Sequence, residues 1–223
     1  MLENVMQIRC PMVCCYAIRV NECVYLIDTG FVGGVKAIER ALDQGGWSGL
    51  PVKGIILTHG HLDHTLNAAS LAERHQAWVA APAADRLLLN GDFRVTGLGW
   101  VGGAMQQMGA VFLHYRKTED ITWFEEDTPE VFPDGLSFVK LPGHTAGHSG
   151  FLFGRYLFCG DVFASFGAAT HLSPGIFNED TELAKKSLLE VAKMDIDGVF
   201  PHHCDRAPPE IHLERLRGIA AKI

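Results

Sequence analysis

Thr58-His59-Gly60-His61-Leu62-Asp63-His64 is the stretch on which the reading of this chain turns. It follows Lys53 to Leu57, a short apolar run of the kind that makes a buried strand. Three imidazoles and a carboxylate thus sit within six residues, just past a strand end. Imidazole nitrogen and carboxylate oxygen are the donors of zinc, iron and manganese sites. On a loop these groups need not all point one way, so two can serve one ion and two another. The competing reading is that Asp63 and Thr65 only cap the helix expected from Asn67 to His75. It leaves a dense histidine cluster with no partner, which is costly if buried.

The other histidines extend the pattern. Seven of the 11 fall in three clusters, at 59/61/64, 144/148 and 202/203, each after a short apolar run. Asp28-Thr29-Gly30 ends the strand expected at Cys23 to Ile27, which forms a hairpin with Met12 to Val20 across Asn21-Glu22. Helical spacing follows in Val35 to Leu42, then a strand at Ala77 to Ala81. Further strands are expected at Ser137 to Leu141, Gly150 to Phe153, Tyr156 to Cys159 and Val199-Phe200. The amphipathic segment Glu182 to Lys193 lies before the last of them, and a closing helix opens at Pro208-Pro209. Residues 90–130, punctuated by six glycines, show no clean period and read as an irregular connector that could also form a lid.

Composition narrows the function classes. The chain has 223 residues, 48% hydrophobic and 20% charged, with net charge −7. That is ordinary globular usage and excludes a disordered chain. An acidic chain has no general attraction to phosphate backbones, so no nucleic-acid partner is expected. No stretch approaches the roughly 20 apolar residues that span a bilayer, so no membrane partner is expected. No signal peptide is evident, and a cytoplasmic protein is the expectation. The six cysteines form no C-x-x-C pair and read as buried, reduced thiols, Cys204 included.

Taken together, Asp28-Thr29-Gly30, the 58–64 stretch, Gly143-His144-Thr145-Ala146-Gly147-His148-Ser149, Cys159-Gly160-Asp161 and Pro201-His202-His203 resemble the metallo-β-lactamase-fold superfamily of metal-dependent hydrolases. They occur in that family's order, across nearly the whole chain. The resemblance implies an α/β fold, a four-layer αβ/βα sandwich of two mixed sheets flanked by helices, forming a single domain over 1–223. It also implies two divalent metal ions, zinc foremost, with iron or manganese also suited. His59, His61 and His144 would hold one ion, and Asp63, His64 and His203 the other. Asp161 would bridge them, with a hydroxide between, and Asp63 would orient the nucleophile. His202 occupies a position usually held by glycine and reads as an outer or loop residue. Asp28 and His148 read as supports of the ligand loops, and His171 as a residue of the substrate loop, along with Phe166 and Phe177.

The activity implied is hydrolysis of a small ester, thioester or lactone. Glyoxalase II-like enzymes share these loops but carry an extra C-terminal helical domain, whereas about 20 residues follow His203 here. Lactonase-like relatives usually place a tyrosine after the bridging aspartate, where this chain offers Phe166 and His171. The alternative is a mononuclear-iron persulfide dioxygenase-like oxidoreductase on the same fold. A non-catalytic binding module is disfavoured because every assigned ligand position holds a competent residue. Oligomeric state is left open by the sequence.

Overall fold

The computed structural model describes residues 3–93, 100–125 and 132–223. Its two main sheets grow from the strands the sequence marks. β1 (Val5–Arg9), β2 (Cys14–Val20), β3 (Cys23–Ile27), β4 (Val52–Ile56), β5 (Trp78–Pro82) and β6 (Ile121–Phe124) form the first, in that spatial order. The β1, β2 and β3 pairings are antiparallel, and β3 to β6 run parallel. Asn21 and Glu22 both take positive φ, the backbone twist that a two-residue hairpin requires.

The second sheet has the order β12-β9-β8-β7, from β7 (Leu136–Lys140), β8 (Ser149–Phe153), β9 (Tyr156–Gly160) and β12 (Gly198–Pro201). A small antiparallel ladder, β10 (Phe163–Ala164) with β11 (His171–Leu172), stands beside it.

Strand alternation assigns each face. On β2, Cys14, Tyr16 and Ile18 face the second sheet and meet Phe151, Phe158 and Phe200. Cys15 and Ala17 face outward and pack with Ile38 of α1 (Gly34–Gln44) and Leu71 of α3 (Ala68–His75). On the far side, Leu157 and Cys159 pack against Leu188 of α6 (Thr181–Lys193) and Leu213 of α7 (Pro209–Ala220). Helix, sheet, sheet and helix therefore stack in four layers, the expected αβ/βα sandwich.

The connector expected over 90–130 needs correction. It contains a 13-residue helix, α5 (Trp100–Phe112), and the edge strand β6. Three glycines and apolar residues on every side hide the helical period of α5. Residues 94–99 and 126–131, which belong to the same expectation, lie outside the described residues. Two one-turn helices, α2 (Leu62–Thr65) and α4 (Arg86–Leu89), were also not anticipated.

An aromatic cluster holds the sheets face to face. Phe151 is fully buried, with ring centroids 5.9 Å from Phe124 of the first sheet and 5.3 Å from Phe132. Phe151→Ala removes this contact and leaves a cavity. It is expected to cost about 3–5 kcal/mol of stability, read as a lower urea midpoint at unchanged slope.

Candidate metal centre

The site forms where strand ends from both sheets meet. Asp28 follows β3, and residues 58–61 run from β4 into α2, which carries Asp63 and His64. His144 and His148 lie in the turn between β7 and β8. Asp161 follows β9, and His202 and His203 follow β12. Backbone bonds seam the sheets here: Ser149 N–H donates to Thr58 O (2.9 Å) and Cys14 N–H to His202 O (2.7 Å).

Four overlapping trios of donors result among the described residues: Asp28, His64 and His202 form one, His59, His64 and Asp161 another. His59, His61 and His144 each bring a ligand atom within 4.8 Å of the others, and so do Asp63, His64 and His203. Asp161 stands between them. Its Oδ2 is 3.4 Å from His144 Nε2 and 3.1 Å from His203 Nε2, and its Oδ1 is 3.4 Å from His64 Nε2. Asp63 Oδ2 lies 3.3 Å from His203 Nε2.

Hydrogen bonding fixes which nitrogens face the centre. His59 Nδ1 meets Thr58 Oγ1 at 2.9 Å, and that hydroxyl donates to Asp28 Oδ2, so Nδ1 carries the proton. His64 Nδ1 donates to Asp28 Oδ2 (2.7 Å), His144 Nδ1 to Asn178 Oδ1 (2.8 Å) and His203 Nδ1 to Met12 O (2.9 Å). In neutral rings the Nε2 lone pairs then converge on one another. His59, His64 and His144 Nε2 and Asp161 Oδ1 are buried with no hydrogen-bond partner. Buried polar atoms are rarely left so, and four together fit a cation in the gap.

The electrostatics divide the two trios. Burial first, then mutual repulsion among the imidazoles, pushes His59 and His61 well below the ordinary histidine pKa, and burial lowers His144 too. The second trio behaves oppositely. Burial alone would lower His64 and His203, but Asp161 and Asp63 outweigh it, raising His64 well above its usual value and His203 to about 10.

Comparison with known proteins gives the family. Residues 9–203 match the metallo-beta-lactamase superfamily. The chain belongs to that superfamily. It is 27% identical over 198 residues to "Probable metallo-hydrolase YflN" of Bacillus subtilis, covering 80% of this chain and 74% of that protein. It is 26% identical over 181 residues to a hydroxyacylglutathione hydrolase of Shewanella loihica, covering 80% of this chain but 56% of that enzyme, so it spans little more than half its length. Among solved structures, the di-iron-bound form of TTHA1623 superposes with a TM-score of 0.65 at 24% identity, covering 90% of this chain and 91% of that one. By class the chain is a metallo-hydrolase of this superfamily.

Around the trios of this superfamily member lies a buried supporting layer. Asp28, fully buried at φ 60°, accepts from Thr58 N (2.7 Å), Thr58 Oγ1 (2.6 Å) and His64 Nδ1. Burial opposes its charge, but His202 and His64 hold its pKa below the usual carboxylate range. His202 Nε2 lies 3.0 Å from Asp28 Oδ2, so His202 sits behind the centre, as its glycine-like position suggested. His148 donates through Nδ1 to Leu141 O (2.8 Å) and accepts Asp161 N–H at Nε2 (2.8 Å). Both its nitrogens are engaged, and it orients the Asp161 loop. Gly160 has φ 55°, and any Cβ there would collide with the His148 ring. His171 joins neither trio. It is exposed on the cavity wall with Nδ1 donating to Leu172 O (2.7 Å). Cys204 is buried in the inter-sheet core.

Sequence reasoning missed three contributors. Asn178 and Ser173 both reach His144 Nδ1. Asp85 is the more consequential. It is 1% exposed and accepts from Gly60 N (2.7 Å), Thr145 Oγ1 (2.6 Å) and Gly147 N (2.6 Å), joining the two ligand loops. Burial raises its pKa against the pull of those donors. The signal was available: an acid just after the apolar run Ala80-Ala81-Pro82-Ala83-Ala84. Asp85→Asn keeps the volume but turns an NH2 toward a donor. A loss of about 2–3 kcal/mol is expected in urea unfolding, with weaker retention of metal during dialysis.

Proposed function

We propose that the protein is a two-metal hydrolase of a small ester, thioester or lactone. The observation that carries this reading is the pair of complete donor trios sharing Asp161. His59, His61 and His144 would hold one ion, Asp63, His64 and His203 the other, and Asp161 would touch both. Nitrogen and carboxylate donors suit zinc, and the di-iron form of TTHA1623 supports iron as a candidate. Bound there, such ions lower the pKa of water toward neutrality and polarise the acyl oxygen of a substrate.

The chain's own groups do the rest. The three protonated Nδ1 atoms held by Thr58, Asn178 and Met12 O keep His59, His144 and His203 pointing inward, so no reorganisation is needed when substrate arrives. Asp63, on the cavity wall, offers Oδ2 to take the proton of the attacking water and deliver it to the leaving group. The names of the hydroxyacylglutathione hydrolase relatives support the thioester class. The mononuclear-iron alternative would keep Asp63, His64 and His203 in place without a second ion, so the number of bound ions separates the two readings. Six free thiols suit a reducing compartment and support the cytoplasmic placement. Among the described residues no helix is long and apolar enough to cross a membrane.

Elemental analysis of protein purified without added metal is expected to give about two ions per chain, as zinc, iron or a mixture. One iron with little zinc sinks the two-metal reading. Asp63→Asn is expected to lower kcat by about 10²-fold or more on any ester the protein turns over; unchanged turnover would remove Asp63 from the mechanism.

Proton release supplies a further expectation. Ligands must be deprotonated to bind metal. At pH 7 His59, His61 and His144 are already neutral, while His64 and His203, with raised pKa values, carry protons. The first ion should therefore bind with little proton release and the second with release of protons. Lowering the pH weakens the second site first. Titration calorimetry in buffers of different ionisation heat reads both steps.

A further inference from the structure

The centre opens into a cavity of about 370 Å³ whose floor is formed by the candidate ligands. Its walls are apolar: Phe31, Met105, Phe163, Phe166, Pro174 and Phe177. Besides the candidate ligands, the described residues that line it include one ionisable side chain, His171, and no lysine or arginine. The apolar character continues outward, where Met12, Met105 and Phe166 are exposed at 77%, 52% and 42%.

The wall is built, not draped. Leu62 N–H donates to Gln106 Oε1 (3.0 Å), tying α5 to the ligand loop. A Cβ at Gly102 would strike the Ile176 carbonyl and the Phe177 ring, so only glycine lets α5 approach the 175–177 turn this closely. Because Gln106 Oε1 accepts from a backbone N–H, its amide orientation is settled, and its NH2 stays available as a donor on a residue that lines the cavity. It is a neutral donor among hydrocarbon side chains.

We propose that the substrate is an uncharged ester, thioester or lactone bearing an unbranched hydrocarbon acyl chain, seated against Phe31, Met105 and Phe177 with its polar end toward the Gln106 amide. This rests on the hydrolase reading above. A substrate whose acyl or leaving portion carries carboxylates, as a glutathione thioester does, would set them against the apolar side chains of the described lining, which includes no lysine or arginine, at a high desolvation cost. The specificity follows from burial of hydrocarbon, which rises with each methylene.

The test is calorimetric binding of product-like carboxylates to the zinc-loaded protein, from butanoate to octanoate, with suberate as the dicarboxylate counterpart. The dissociation constant is expected to fall about two- to fourfold per added methylene, and suberate to bind at least about tenfold more weakly than octanoate. Met105→Lys, a change at a half-exposed position, should weaken octanoate and strengthen suberate. Affinity that ignores chain length, or suberate binding as tightly as octanoate, overturns the proposal. Hydrolysis of esters is followed in parallel and separates the two ideas. Turnover with flat chain-length dependence defeats the acyl-chain proposal and leaves the hydrolase reading. A steep dependence with no turnover of matching esters, thioesters or lactones does the reverse.

Discussion

One buried carboxylate holds the edge where both sheets end. Asp28 takes hydrogen bonds from the Thr58 amide, the Thr58 hydroxyl and His64, and lies against His202. These partners come from the ends of β4 and β12 and from α2, so one side chain sets the spacing of both sheets. Asp28 also sits at φ 60°, a conformation an aspartate tolerates at small cost, which turns the chain sharply off β3. Asp85 performs a parallel task across the centre, joining the Gly60 and Gly147 loops. Neither carboxylate lines the cavity, yet the donors that do depend on both. Their removal leaves buried donors without acceptors, and such losses exceed the net worth of the bonds themselves.

What these supports hold in place is unfavourable without a guest. Three imidazole nitrogens and one carboxylate oxygen at the centre are buried without a hydrogen-bond partner, a costly arrangement. A fold can keep such an arrangement only where its surroundings over-determine it, as here through hydrogen bonds to four Nδ1 atoms and packing beneath them. A cation that binds the folded chain and not the unfolded one returns this free energy as stability. The same preorganisation that costs stability is what would make a metal-loaded centre reactive.

The histidine clusters could be read from the chain because their ligand chemistry is local: His59, His61 and His64 sit within six residues, and each further cluster follows an apolar run that signals a strand end. The strands of the second sheet and helices α1, α3, α6 and α7 were legible for a similar reason: the strands are short apolar runs, mostly set off by turns, α1, α3 and α6 carry helical spacing, and Pro208-Pro209 marks the start of α7. Asp85 was harder to read: the apolar run before it hints at burial, but its partners lie 25 and 60 or more residues away, so its task is not local. Helix α5 escaped because it is apolar on all faces and interrupted by glycine. Its helical state is decided by contacts with Leu62, Ile176 and Phe177, which are tertiary. Position of the donors is thus a property of short segments, whereas the surroundings that tune them are a property of the packed whole.

That division explains how the same motif set can serve different substrates. The ligands and Asp28 are anchored to strand ends inside the sandwich, where a shift of one residue would break several buried bonds at once. Much of the cavity wall is supplied by α5 and the 162–180 segment; Ser173 and Asn178 of that segment hold His144, whereas Met105 and Phe166 present only apolar side chains to the cavity. Exchanging Met105 or Phe166 for a charged residue alters no bond of the centre. It alters only what the cavity will accept. Specificity here is therefore free to change while the chemistry stays fixed, and the apolar wall of this chain is a statement about its substrate, separate from the statement its ligands make about its reaction.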